Sequence, residues 1–143
     1  MSVTFSQTFF TLFMVMATAV VQLAAQLSLA RIVAALPRPR DGYAAFYKVA
    51  CTITAVLVLM FGHLVQVTIW AVRYYEWGEL HGFINSFYFS LASFTTMGAS
   101  ELQLSGAHRL TGAVEAALGM LMFGWSTALI FYIIQRADRA GQA

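Results

Sequence analysis

The sequence predicts an all-α membrane protein with three bilayer-crossing helices and one shorter segment that enters the membrane and turns back. Three observations carry this. Of the 143 residues, 60% are hydrophobic and only 10% charged, against roughly 25% charged in a soluble domain. Three apolar stretches are long enough to cross a hydrocarbon core of about 30 Å at about 1.5 Å per residue. Between the second and third lies Phe83 to Glu101, FINSFYFSLASFTTMGASE, too short to span the bilayer and too apolar for an exposed loop. Irregular backbone at that depth is tolerated only where protein buries it or where it lines a watery cavity. This segment reads as the lining of such a cavity.

The first stretch runs from about Val3 to Leu36, with no formal charge before Arg31. A secretory leader would open with Lys or Arg and carry an apolar run of roughly 7 to 15 residues. Residues 2 to 8 are SVTFSQT and the run is far longer, so a retained helix is expected. Gln22 and Gln26 sit one turn apart on one face, with Ser28 and Arg31 beyond; they either bond a neighbouring helix or headgroups, or serve in sensing. Pro37 and Pro39 then stop the helix, because proline lacks the amide donor and restricts the residue before it. Arg31, Arg38, Arg40 and Lys48 against Asp41 make this break basic, which places it in the cytoplasm. The division expected is an added transmembrane helix over 1–36 and a basic cytoplasmic linker over 37–48.

The second stretch, about Val49 to Tyr74, ends in Trp70, Tyr74, Tyr75 and Trp77, read as an aromatic belt at the opposite headgroup level. His63 and Gln66 lie inside it. An intramembrane His is a functional candidate: His63 is either a neutral partner of a neighbouring helix or a proton sensor, its ordinary pKa being about 6.5. Cys51 is the single cysteine, so no internal disulfide forms; it reads as a small packing residue. Arg73 to Gly82, RYYEWGELHG, is a loop of mixed charge holding Glu76, Glu79 and His81.

After a return loop over Leu102 to His108, the third stretch runs from Arg109 to about Ile134. Met120, Phe123, Thr127 and Phe131 recur at helical spacing and share one face, with Gly112, Gly119 and Gly124 interspersed. Glu115 stands out, since a carboxylate inside a span costs several kcal/mol unless paired, hydrated or protonated. The tail over 137–143 is short. Arg31, Arg38, Arg40, Lys48, Arg136 and Arg139 fall on one side of the membrane and Arg73 and Arg109 on the other, which puts the amino terminus outside and the carboxyl terminus in the cytoplasm.

The run Tyr88 to Glu101, YFSLASFTTMGASE, followed by the helix from Arg109, resembles the pore module of the potassium-channel superfamily, and most of all its small bacterial two-helix-pore members. In that family a pore helix ends in Thr-Thr-x-Gly-Tyr-Gly-Asp, whose backbone carbonyls replace the ion's hydration shell. Without gaps, Thr96, Met97, Gly98, Ala99, Ser100 and Glu101 fall on the filter positions, with Thr95, Ser93, Ser90 and Glu115 as expected support. The resemblance implies a pore domain over 49–136, a homotetramer in a bacterial inner membrane, and a cavity and gate formed by Gly119, Met120, Phe123, Gly124, Thr127 and Phe131. Two departures bear on selectivity: Ala99 stands where the family has Tyr, and Ser100 where it has the second Gly. Ser100 would carry the cost of a wrong-handed backbone, roughly 1 to 2 kcal/mol. Glu115 is expected to brace the filter through Ser90, Ser93 or the filter backbone, since the family's acidic position on the pore helix is Ala92 here.

The expectation is passive conduction of monovalent cations, K+ or Na+, with weakened or absent potassium selectivity. Two alternatives stay open: a potassium-selective channel, or a non-conducting scaffold that keeps a filter remnant. Enzyme activity is not expected, because no nucleophile is positioned with a base. No cofactor, no metal beyond the permeating ions, no nucleic-acid partner and no soluble regulatory domain is expected either. No span carries the arginine repeat of a voltage sensor.

Overall fold

A computed structural model describes residues 2–36, 43–99, 101–106 and 108–140, with side chains from residue 9 onward. The basic linker with its two prolines, and Ser100, lie outside the described residues. The described chain is helical: α1 (Ser2–Ala35), α2 (Ala44–Glu76), α3 (Phe83–Phe94) and α4 (Arg109–Ala140). Three helices are long and apolar enough to cross a membrane, over Phe9–Ala35, Ala44–Glu76 and Arg109–Ala140. α3, with 12 residues, is about 18 Å long and reaches partway. This all-helical arrangement is the one the composition predicts.

α2 is the hub, packing against α1, α3 and α4, and α4 also meets α1 and α3. The interior is layered along the helix axes. Toward the α3 end, Trp70, Tyr74, Leu80, Phe89 and Leu118 form one cluster with Met14 of α1. At mid-depth Val67, Phe94 and Met122 form a second. At the far end Leu29, Val33, Cys51, Ala55, Leu59, Ile133 and Ala137 form a third. Each buried stripe recurs every three or four residues, the period that keeps one helical face inward. The other faces present Phe9, Phe13, Phe46, Phe61, Leu121 and Tyr132, all exposed, as a lipid-facing surface should.

Two corrections concern the ends of the spans. Half of the aromatic belt is interior: Trp70 and Tyr74 are fully buried, Tyr75 is exposed and Trp77 half-buried, and Trp70 Nε1 donates to Thr18 Oγ1 at 3.0 Å. Trp70 finds its partner on α1 and Tyr74 on α4, at Glu115, so burial satisfies their polar atoms without headgroups. α4 also runs on past Ile134 to Ala140, held by buried Ala137 and by a Lys48–Asp138 ion pair at 2.8 Å.

Candidate functional site

α3 builds the site, and its carboxyl end is where the backbone departs from helix. Thr95 closes the helix at φ −83°, ψ 0°. Thr96 then takes φ 59° and Gly98 φ 78°. A β-branched residue in the left-handed region is a steric outlier, and such strain persists only where the surroundings over-determine it. Here three amides pin the turn: Thr95 N to Leu91 O at 3.0 Å, Thr96 N to Ser93 O at 2.9 Å, and Gly98 N back to Ala92 O at 3.0 Å. The Thr95 hydroxyl adds a bond to Leu91 O at 2.7 Å. Met97 and Ala99 keep negative φ, so the hand alternates from Thr96 to Ala99. Sequence reasoning assigned the cost of a wrong-handed residue to Ser100; the non-glycine residue that bears it among the described residues is Thr96.

Thr95, Thr96, Gly98 and Glu101 are exposed and Met97 is 65% exposed, so this chain leaves most of the segment and most of Met97 uncovered. Ala99 is half-buried and packs against the cluster around Tyr74 and Phe89, while its carbonyl accepts from Leu102 N at 3.2 Å. Where the resembled family has a bracing aromatic, a methyl group meets an apolar cluster.

Behind the segment stands Glu115 of α4, fully buried. Tyr74 donates its hydroxyl to Glu115 Oε2 at 2.7 Å. The Ser90 hydroxyl lies 2.5 Å from Glu115 Oε1 and 2.9 Å from the carbonyl of Val67. Three contacts need three protons, and Tyr74 and Ser90 bring one each. Ser90 has one proton for two acceptors, Glu115 Oε1 and the Val67 carbonyl; a carboxyl proton on Glu115 would supply the third, with Tyr74 donating to Glu115, Glu115 to Ser90, and Ser90 to Val67. Of the three supports expected for Glu115, the structure provides Ser90. Ser93 takes part through its carbonyl at the turn. Tyr74 was missed, because a tyrosine near the end of a span carries the same signal whether it faces headgroups or protein.

α4 approaches α3 most closely at Gly119. A Cβ there would lie 1.8 Å from the Phe94 carbonyl oxygen, so the helix can cross under the end of α3 only with glycine. At Gly124 a Cβ would meet nothing within 4 Å. Gly119 is thus a packing residue, and Gly124 lies on a face that this chain leaves open. That face also holds Met120 and Phe131, 60% and 62% exposed, with Thr127 exposed and Phe123 half-buried. The Thr127 hydroxyl bonds its own helix, at Phe123 O, 2.9 Å. About 100° per residue separates this stripe from a second exposed one at Leu121, Trp125, Ala128 and Tyr132, so α4 has two uncovered faces of different character.

A family model described as an ion channel matches residues 53–136, more than half of the chain. The chain belongs to this ion-channel family. No curated protein and no solved structure matches it. The matched part of the channel contains most of α2, all of α3, the segment after it and α4 to Arg136, and leaves α1 outside.

At the α3 end of the channel, a clasp joins the loop after α2 to the loop before α4. Glu79 accepts from Ser105 N at 2.6 Å and from Ser105 Oγ at 2.7 Å, and its Oε1 lies 2.6 Å from His108 Nδ1. His108 stacks on Trp77, centroids 4.2 Å apart, and the Arg73 guanidinium sits over Phe10 and Trp77 at 3.9 and 4.5 Å. Partial burial alone would raise the Glu79 carboxyl, but the Ser105 amide and hydroxyl and then His108 outweigh it and hold the group below the ordinary carboxylate range. Sequence reasoning left two readings open for this loop, acidic residues that gather cations at a pore mouth or a solvated loop with no role, and foresaw neither Ser105 nor His108 as a partner of Glu79.

Proposed function

We propose that four copies of the chain surround an axis and pass monovalent cations passively, with a weaker preference for potassium than the Gly-Tyr-Gly filters of the resembled family. The observation that carries the reading is the alternation of backbone hand from Thr96 to Ala99 at the end of α3. Alternating hands turn successive carbonyls toward one side, and a row of such oxygens can replace a cation's water. The proposed filter is Thr96, Met97, Gly98, Ala99, Ser100 and Glu101, the last two at the outer mouth. Thr95, Ser93, Ser90 and Glu115 support it, and Gly119 carries the pore helix on α4. Met120, Phe123, Gly124, Thr127 and Phe131 line the cavity and gate.

The carboxyl end of α3 adds a fixed partial negative charge, equivalent to about half an electron per helix, directed at the foot of the filter. One chain contributes one filter strand, and a strand encloses an axis only in a closed ring of copies. The exposure of Met97, Met120, Thr127 and Phe131 supports such a ring. In this reading residues 49–136 form the pore domain, and Arg31, Lys48, Arg136 and Arg139 mark the cytoplasmic face of a bacterial plasma membrane.

The test is ion flux into vesicles carrying purified protein of measured oligomer mass, with potassium and sodium compared. Comparable flux of both ions through tetramers is the expected result. Potassium flux alone would restore full selectivity to the filter, and well-formed tetramers with no flux would make the segment a remnant in a scaffold.

A further inference from the structure

α1 lies outside the residues matched to the channel family, yet it reaches into the interior of the pore domain at one place. Gln22 donates from Nε2 to Ser126 Oγ of α4 at 3.0 Å. Gln66 of α2 donates to Gln22 Oε1 at 3.0 Å. Gln66 Oε1 in turn lies 3.5 Å from His63 Nδ1, and His63 Nε2 lies 3.0 Å from Ser126 Oγ. The four side chains close a ring across three helices, and all four are buried. Close approach of α1 holds it there, since a Cβ on Gly62, next to His63, would lie 3.0 Å from Ala25 Cβ.

The ring balances only with a neutral imidazole. One amide N–H from each glutamine, the Ser126 hydroxyl and one imidazole N–H provide four protons for four contacts, with the imidazole proton on Nδ1 toward Gln66 Oε1 and Ser126 donating to Nε2; turning both amides over together with the tautomer reverses every bond and keeps the count. A second proton on His63 makes five donors for four contacts, and Ser126 must turn its hydroxyl elsewhere. The groups facing His63 are Gln66 from its own helix, Phe94 from α3, and Phe123 and Ser126 from α4, and Gln22 of α1 holds two of these, Gln66 and Ser126. No carboxylate is among them. Glu115 lies eleven residues from Ser126 along α4, roughly 16 Å at the helical rise.

The same imidazole touches both walls of the proposed pore. Its centroid is 5.8 Å from Phe94, the residue before Thr95 and Thr96, and 4.8 Å from Phe123, on the proposed cavity face. Phe94 and Phe123 meet edge to face at 5.6 Å.

We propose that α1 is a positioning helix of the pore: Gln22 holds His63 against Phe94 and Phe123, and uptake of a proton by His63 breaks the ring and loosens that hold. The proposal rests on the conduction reading for its effect on flux. The test compares wild type, Gln22→Met and His63→Gln, each as tetramers in vesicles, scanned from about pH 5 to 8. Gln22→Met keeps the volume and removes α1's two bonds to the ring; His63→Gln keeps donor and acceptor and removes the titration. The expected result is a pH step in wild-type flux that His63→Gln abolishes and Gln22→Met displaces by roughly half a pH unit or more. Flux that follows one pH curve in wild type and Gln22→Met overturns the proposal. A nitrogen NMR titration of the His63 imidazole in the same tetramers reads the ring without conduction. If no protein conducts, the conduction reading fails separately, and an unchanged imidazole titration in Gln22→Met then overturns the ring as well, whereas a moved one sustains it.

Discussion

At Glu115 an acid sits in an apolar span without a counter-charge, and its neighbours explain how. The carboxyl accepts from Tyr74 and meets Ser90, which meets the Val67 carbonyl, a chain that needs a donor as well as an acceptor at residue 115. A primary amide has both. Glu115→Gln is therefore expected to assemble and melt like wild type, whereas Glu115→Leu strands the Tyr74 hydroxyl at a cost of about 1 to 3 kcal/mol and leaves Ser90 with its bond to the Val67 carbonyl alone. Thermal unfolding of the detergent-purified protein decides between them; a Gln variant as damaged as the Leu variant would require an ionised Glu115. A second contrast separates two glycines. Gly119→Ala drives a methyl into the Phe94 carbonyl at 1.8 Å, and overpacking of this kind costs about 1 to 3 kcal/mol or more. Gly124→Ala meets open space within the chain and should fold normally, so the thermal stability of the two purified variants distinguishes the sites. That Glu115 mattered was legible in the sequence, because a lone acid in an apolar run has no inexpensive place. That Tyr74 completes it was not, since the two residues are 41 apart in the chain and only the packing of α2 on α4 joins them.

Among the elements, the helices themselves were legible because length and apolar content decide them, and the break between Thr95 and Gly98 was legible because threonine followed by glycine ends a helix. What the sequence hid was which face of each span meets protein. Trp70 is as amphipathic buried against Thr18 as it would be at a headgroup, and Gln22 and Ser126 carry no sign that they share a ring. The clasp at the α3 end was hidden for a similar reason: Glu79 is an ordinary loop acid until Ser105 and His108 converge on it. Its pH dependence follows from the direction of its shift. A carboxyl held below its unfolded value stabilises the fold above the ordinary carboxylate range and loses that contribution as pH falls through the folded value. Wild type should therefore exceed Glu79→Gln in thermal stability at neutral pH, and the two should converge in acid. Melting curves for both proteins between about pH 3 and 7 check this, and a gap that persists at the acid end would mean that the carboxylate charge is not what the clasp uses.

Taken whole, the chain is closed at the rear and open at the front. The segment from Thr95 to Gly98, the methionine within it and the Met120, Thr127 and Phe131 face of α4 are all exposed, while everything behind them is packed, bonded or closed by glycine. Neighbouring copies would cover the front and leave the rear unchanged, so ion preference in this reading depends on how firmly the rear holds the front. At Ala99 that hold is a methyl group against the Tyr74 and Phe89 cluster, where the resembled family places a phenol. At Ser100 a side chain stands where that family places a residue free to adopt either hand. Restoring both, Ala99→Tyr with Ser100→Gly, should tighten the ring of carbonyls and raise the potassium-to-sodium flux ratio by about tenfold, the factor that corresponds to roughly 1.4 kcal/mol. Each single change should give less than the pair, because a braced filter still needs the backbone to turn and a free backbone still needs a brace. Vesicle flux with the two ions measured on the same preparations reads the ratio directly, and a double variant that conducts with the wild-type ratio would move the origin of selectivity away from these two positions.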